Sequence, residues 1–109
     1  MANRYKNANF DLTTTDVTDV YTVPAESRAI VQNIHAANVG AANTEIKAFI
    51  YDDSASRAYQ FAEHTINSGD SRSMSDGPVI LEENDKLQLQ AGAVDIFEGT
   101  VSILEFDRT

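Results

Sequence analysis

Cysteine and tryptophan are absent from this sequence, proline occurs only twice, and basic residues are scarce: eight Lys and Arg against seventeen Asp and Glu. Without cysteine there is no disulfide to support a small core, no thiol nucleophile and no Cys-ligated zinc. The shortage of Lys and Arg, with a net charge of −9, argues against binding duplex nucleic acid through its phosphates. No apolar run approaches the length needed to cross a bilayer, and the N-terminus has no apolar signal-peptide segment. The expectation is a soluble chain, made in a cytoplasm, with no membrane partner. Five glycines lie scattered at positions 40, 69, 77, 92 and 99, so no glycine-rich loop is available to cradle a phosphate.

At 109 residues the chain suits one domain, with residues 1–15 as an N-terminal arm or edge strand and residues 16–109 as the body. Surface scaling for this size gives roughly 6,000 Å² of accessible area, about a third of that of the unfolded chain, so a core can form without covalent staples.

The pattern along the chain has period two. In residues 44–51, Ile46, Ala48 and Ile50 alternate with Glu45, Lys47 and Phe49; in 86–91, Leu87, Leu89 and Ala91 alternate with Lys86, Gln88 and Gln90. Residues 28–38 form a third β-rich run, with Ile30 and Ile34 on one side and Ala29, Val31 and Ala37 on the other. The VGAAN segment between 38 and 44 reads as a hairpin loop, with Gly40 and Asn43 tolerant of unusual φ, so residues 28–53 are expected to pair as a central hairpin.

Shorter strands are expected at 17–23, closed by Pro24, at 58–62, around 72–75, at 79–81 and at 95–106. Gly99, inside the last strand, marks a bulge or a close backbone approach. The sum is about eight short strands and no convincing helix. That is the signature of an all-β, single-domain antiparallel β-sandwich, jelly-roll-like, with an immunoglobulin-like sandwich as the alternative.

Few residues suggest chemistry. His35 and His64 lie on or beside strands without an adjacent nucleophile and acid, and the run Gly69–Ser73 lacks the second glycine of a nucleophile elbow. No catalytic residue and no cofactor is assigned. Asp52, Asp53, Asp70, Asp76, Glu82 and Glu83 are oxygen donors in turns but lack EF-hand spacing, and no metal site is assigned. Tyr51, Tyr59 and Phe61 on neighbouring strands are the candidates for a sugar-binding platform. Charge asymmetry singles out the N-terminus: residues 1–10 carry +2 on a chain of −9, so Arg4, Lys6, Tyr5 and Phe10 are the candidate partner-binding residues, with the two aromatics as anchors.

In TVPAESRAIVQNIHAAN (22–38), VILEENDKLQLQAGAVD (79–95) and TVSILE (100–105) the chain resembles small tailed-bacteriophage virion β-sandwich proteins, in particular head-decoration (cement) proteins. The likeness covers residues 22–105 and consists of turn and strand signatures, not a site. It implies a cofactor-free protein on the capsid surface of a virion, made in a host bacterial cytoplasm. It also implies the major capsid protein and other copies of itself as partners, as a homotrimer. The alternatives are a neck, tail or baseplate component and a host-surface or carbohydrate-binding module.

Overall fold

The computed structural model describes residues 3–107. Among them the chain forms nine strands: β1 (Asn3–Leu12), β2 (Thr18–Thr22), β3 (Ser27–Asn38), β4 (Thr44–Asp52), β5 (Arg57–Ile66), β6 (Ser71–Ser73), β7 (Val79–Leu81), β8 (Lys86–Ala91) and β9 (Phe97–Asp107). They make two antiparallel sheets. One has the order β1-β9-β3-β6, with β7 also on β3; the other has the order β2-β8-β4-β5.

Strands β6 and β7 pair with opposite ends of β3 and act as one edge strand interrupted at residues 74–78. At the break the Met74 amide donates to the Ile34 carbonyl at 2.7 Å while its side chain enters the core. Counting β6 and β7 together leaves eight strands, four per sheet, in the order of a jelly roll rather than of an immunoglobulin domain.

The expected central hairpin does not form. Its two strands have the anticipated extents, but β3 pairs with β9 and β4 with β8, so residues 39–43 carry the chain from one sheet to the other. The crossover is fixed by Asn38, which is buried. Its side-chain amide donates to the carbonyls of Ala42 (2.9 Å) and Ile66 (2.8 Å), and its Oδ1 accepts from the Gly40 amide (2.9 Å). Gly40 packs closely here: a Cβ would push aside the Cδ1 tip of the Ile96 side chain.

Bulges correct the expected faces. β3 slips register between Val31 and Asn33, opposite Ile103 and Ser102. The extra residue, Gln32, resets the alternation, so Ala29 and Val31 before it and Ile34, Ala36 and Asn38 after it all point inward. Ile30 is therefore not on the same side as Ile34 but on the outer face. A second bulge, between β4 and β5, leaves Phe61 as the extra residue.

The core lies between the sheets and is filled by Leu12, Val31, Ile34, Ile46, Leu81, Leu87, Leu89, Phe97, Val101 and Ile103, each nearly or fully sealed from solvent. Small residues let the sheets approach. Gly99 faces Phe10 across the β1–β9 pair, and a Cβ there would collide with the Phe10 ring and with the backbone carbonyl of His35. The strand-interior glycine is thus the socket for an aromatic ring from the neighbouring strand.

Candidate interaction surface

The outer face of the five-stranded sheet carries an apolar row set by register. Tyr5 on β1 lies opposite Leu104 on β9, Leu104 opposite Ile30 on β3, and Ile30 opposite Ile80 on β7. Directly opposed residues share a face, so the four side chains form one line across four strands. Its ends are open to solvent, Tyr5 at 79% and Ile80 at 69% exposure, and its centre is half-buried. Phe106 and Arg28 form the next opposed pair along β9 and β3. No carboxylate stands in the row itself, on a chain with seventeen of them; the exposed Glu82 flanks its Ile80 end, two residues on. Large exposed apolar side chains aligned on one face are the mark of a contact surface rather than of a solvated one. Sequence reading missed the row because it depends on the Gln32 bulge and on register between strands far apart in the chain.

The four candidate residues at the N-terminus part company. Tyr5 belongs to the row. Phe10 turns the other way and packs into the core at 9% exposure, so it anchors β1 to its own body. Arg4 and Lys6 also face inward, toward Glu105: Lys6 Nζ stands 3.3 Å from Glu105 Oε2, and an Arg4 guanidinium nitrogen lies 3.8 Å from Oε1. Glu105 is the residue that sequence alternation could have exposed, because it continues the inward series of Phe97, Val101 and Ile103.

Its carboxylate is 3% exposed and accepts a 2.5 Å hydrogen bond from the hydroxyl of Tyr21, which reaches across from the other sheet. The cluster bolts the lateral side where β1 overlies β2. Burial, then the hydrogen bond to Glu105 and the charge of Glu105, push the Tyr21 phenol well above its ordinary pKa of 10.0.

The other candidates are dispersed. His35 is on the outer face with Nε2 3.0 Å from the Ser71 hydroxyl, whereas His64 lies opposite Ile46 on the inner side of β5. Among the described residues no three His, Asp or Glu side chains gather as metal ligands. The turn acids instead organise backbone: Asp85, buried at the end opposite Asn38, accepts from the amides of Asp53 (3.1 Å) and Glu82 (2.9 Å). Tyr51 pairs with Ala58 and Tyr59 with Ile50, which sets the two tyrosines on opposite faces of their sheet, while Phe61 sits at the bulge, so the three candidate residues do not share one platform. Each tyrosine ring is covered by a cation instead, Lys86 at 5.5 Å from Tyr51 and Arg57 at 4.6 Å from Tyr59.

No family profile matches the chain, and no curated protein is similar to it in sequence. Its fold is nonetheless shared with solved structures. A chain of the capsid of Helicobacter pylori bacteriophage KHP30 matches all of this chain over 90% of its own length, at 14% identity and a TM-score of 0.61. A chain of the disulfide-linked pili that form Bacillus endospore appendages matches 99% of this chain over 88% of its own, at 7% identity and a TM-score of 0.60. A chain of the infectious bursal disease virus particle matches 94% of this chain but only 30% of its own length, at 8% identity and a TM-score of 0.61. At these identities the likeness is one of fold: the chain is a jelly-roll sandwich of a kind also found in viral and phage capsids.

Proposed function

We propose that this protein is a structural component of a bacteriophage virion, a capsid decoration protein that attaches to the shell through the outer face of its five-stranded sheet. The observation that carries the reading is the row Tyr5–Leu104–Ile30–Ile80, a flat apolar strip free of carboxylates on an otherwise acidic molecule. Two things support placing it in a virion: the resemblance of residues 22–105 to head-decoration proteins, and a fold shared end to end with a phage capsid chain.

The role is binding rather than turnover. Contacts made only with the assembled shell stabilise it by mass action, and need no cofactor. The acidic loops keep the free protein soluble, while the strip supplies the buried area on docking. The partner is the major capsid protein, and the location is the capsid surface.

The test is binding of purified protein to undecorated capsids, with particles counted by quantitative mass spectrometry. Hundreds of copies per particle support decoration, whereas a handful at one vertex would move the protein to the neck or tail. The double variant Tyr5→Asp, Ile80→Asp is expected to remain folded and lose binding. Binding unchanged by both substitutions would refute the docking face.

A further inference from the structure

We propose that β1 is a self-pairing edge, and that two copies of this chain join antiparallel through their β1 strands to make one continuous sheet. The sandwich has four lateral edges. Three carry features that discourage strand addition: β2 is five residues long with a bulge at Asp19–Tyr21, β5 is bulged at Phe61, and β6 and β7 are three residues each, β7 following Pro78.

The fourth, β1, is ten residues long and pairs with β9 in one unbroken register, without proline or bulge. Its inward cations, which would ordinarily guard such an edge, face Glu105 beneath the strand. The side chains left on its outer face from 3 to 9 are Asn3, Tyr5, Asn7 and Asn9, all exposed and uncharged.

Charge selects the occupant and its direction. Centred on Asn7, an antiparallel copy opposes no two like charges, since Arg4 then faces Phe10, Lys6 faces Ala8 and Asp11 faces Asn3. A parallel copy would oppose like charges. Strand addition must match outward residues with outward residues; a two-fold axis at Asn7, near the middle of the strand, does so, with Asn3 opposite Asp11 and Tyr5 opposite Asn9 of the second copy. Such an isologous pair closes on itself, giving a dimer in place of the trimer the resemblance implies.

The inference does not depend on the capsid reading, since it concerns the free protein. The test is the mass of the full chain by sedimentation equilibrium up to about 100 µM, where a weak pair is populated by mass action. A second measurement uses a single introduced thiol, because the chain has no native cysteine. Asn7→Cys is expected to oxidise rapidly to a disulfide dimer, since opposed strand residues lie within disulfide reach. The control Thr65→Cys, exposed on β5, is expected not to do so. Asn7→Lys is expected to be monomeric, and an equimolar mixture with Asn7→Asp to restore the dimer. A monomer throughout that range, a trimer, or equal cross-linking of the two thiol variants would overturn the proposal.

Discussion

Replacing Tyr21 by Phe removes one oxygen and tests how the two sheets are held at the β1–β2 side. The Tyr21 hydroxyl donates to a carboxylate that is 3% exposed, over 2.5 Å, so the lost bond is charge-assisted. Such bonds contribute about 1.5–3 kcal/mol. Lys6 and Arg4 stay beside Glu105, but both are about half exposed, so their attraction is screened and offsets little. The expected loss is therefore about 1.5–2.5 kcal/mol, or very roughly 8–15 °C in melting temperature for a chain of this size.

The pH dependence follows from the raised Tyr21 pKa. Above pH 10 the unfolded chain releases this proton while the folded chain retains it, so the contribution is complete below pH 10 and is lost as pH rises beyond it. The slope from one group is at most about 1.4 kcal/mol per pH unit, and less for a partly solvated phenol. Urea unfolding at pH 8, 10 and 11 for the native chain and Tyr21→Phe gives both numbers, and the ultraviolet phenolate signal that the variant lacks is expected to appear only with unfolding. The reasoning fails if Tyr21→Phe matches the native chain at pH 8 within about 0.5 kcal/mol, a difference typical of surface substitutions, or if the two curves run parallel above pH 10.

Gly99→Ala is expected to destabilise by about 2–4 kcal/mol, because the added methyl meets the His35 backbone as well as the Phe10 ring; chemical denaturation checks it. Phe10→Ala empties that socket and is expected to cost about 3–5 kcal/mol in the same assay. Asn38→Ala leaves the buried Ile66 carbonyl without its donor and is expected to cost about 2–4 kcal/mol, with faster amide exchange at Gly40. Ile80→Ser, at a 69% exposed position, is expected to change stability by less than about 0.5 kcal/mol while reducing dye binding to exposed apolar surface.

Alternation made strands β4 and β8 legible residue by residue, because one face of each is covered and the other wet. Sheet membership was not legible. The run from β3 through 39–43 to β4 has the composition of a hairpin, and it is held as a crossover by bonds to distant segments, from the Asn38 side chain to the Ile66 carbonyl and from Ser68 to Gly40 and Asn43. Bulges are the second blind spot: Gln32 carries no local signal, yet it decides whether Ile30 lies in the core or in the outer apolar row. The N-terminal charge was visible, but its target was not, since Glu105 lies ninety-nine residues from Lys6 and acquires meaning only when β1 is laid on β9. For the same reason removing residues 1–12 would take Phe10 and Leu12 out of the core, so loss of binding after that deletion would report unfolding as readily as loss of a contact.

The placement of polar groups explains how one small sandwich can offer a sheet face and a strand edge at once. Its buried polar side chains sit at the margins: Asn38 at one end, Asp85 at the other, and Glu105 along the β1 side. Asn38 holds a crossover, Asp85 a turn and Glu105 the join between the two sheets, by side-chain hydrogen bonds that no β-ladder supplies. The outer face of the five-stranded sheet can then carry an apolar row without cost to specificity. A β1-paired dimer would set two such faces side by side, directed the same way, because the axis runs perpendicular to the common sheet. Two weak docking rows held at fixed spacing bind a repeating lattice far more tightly than either alone, provided the spacing matches. A protein of this kind would bind an assembled shell and ignore free subunits. Selectivity for the assembled state would come from geometry, with no cleft and no reaction required.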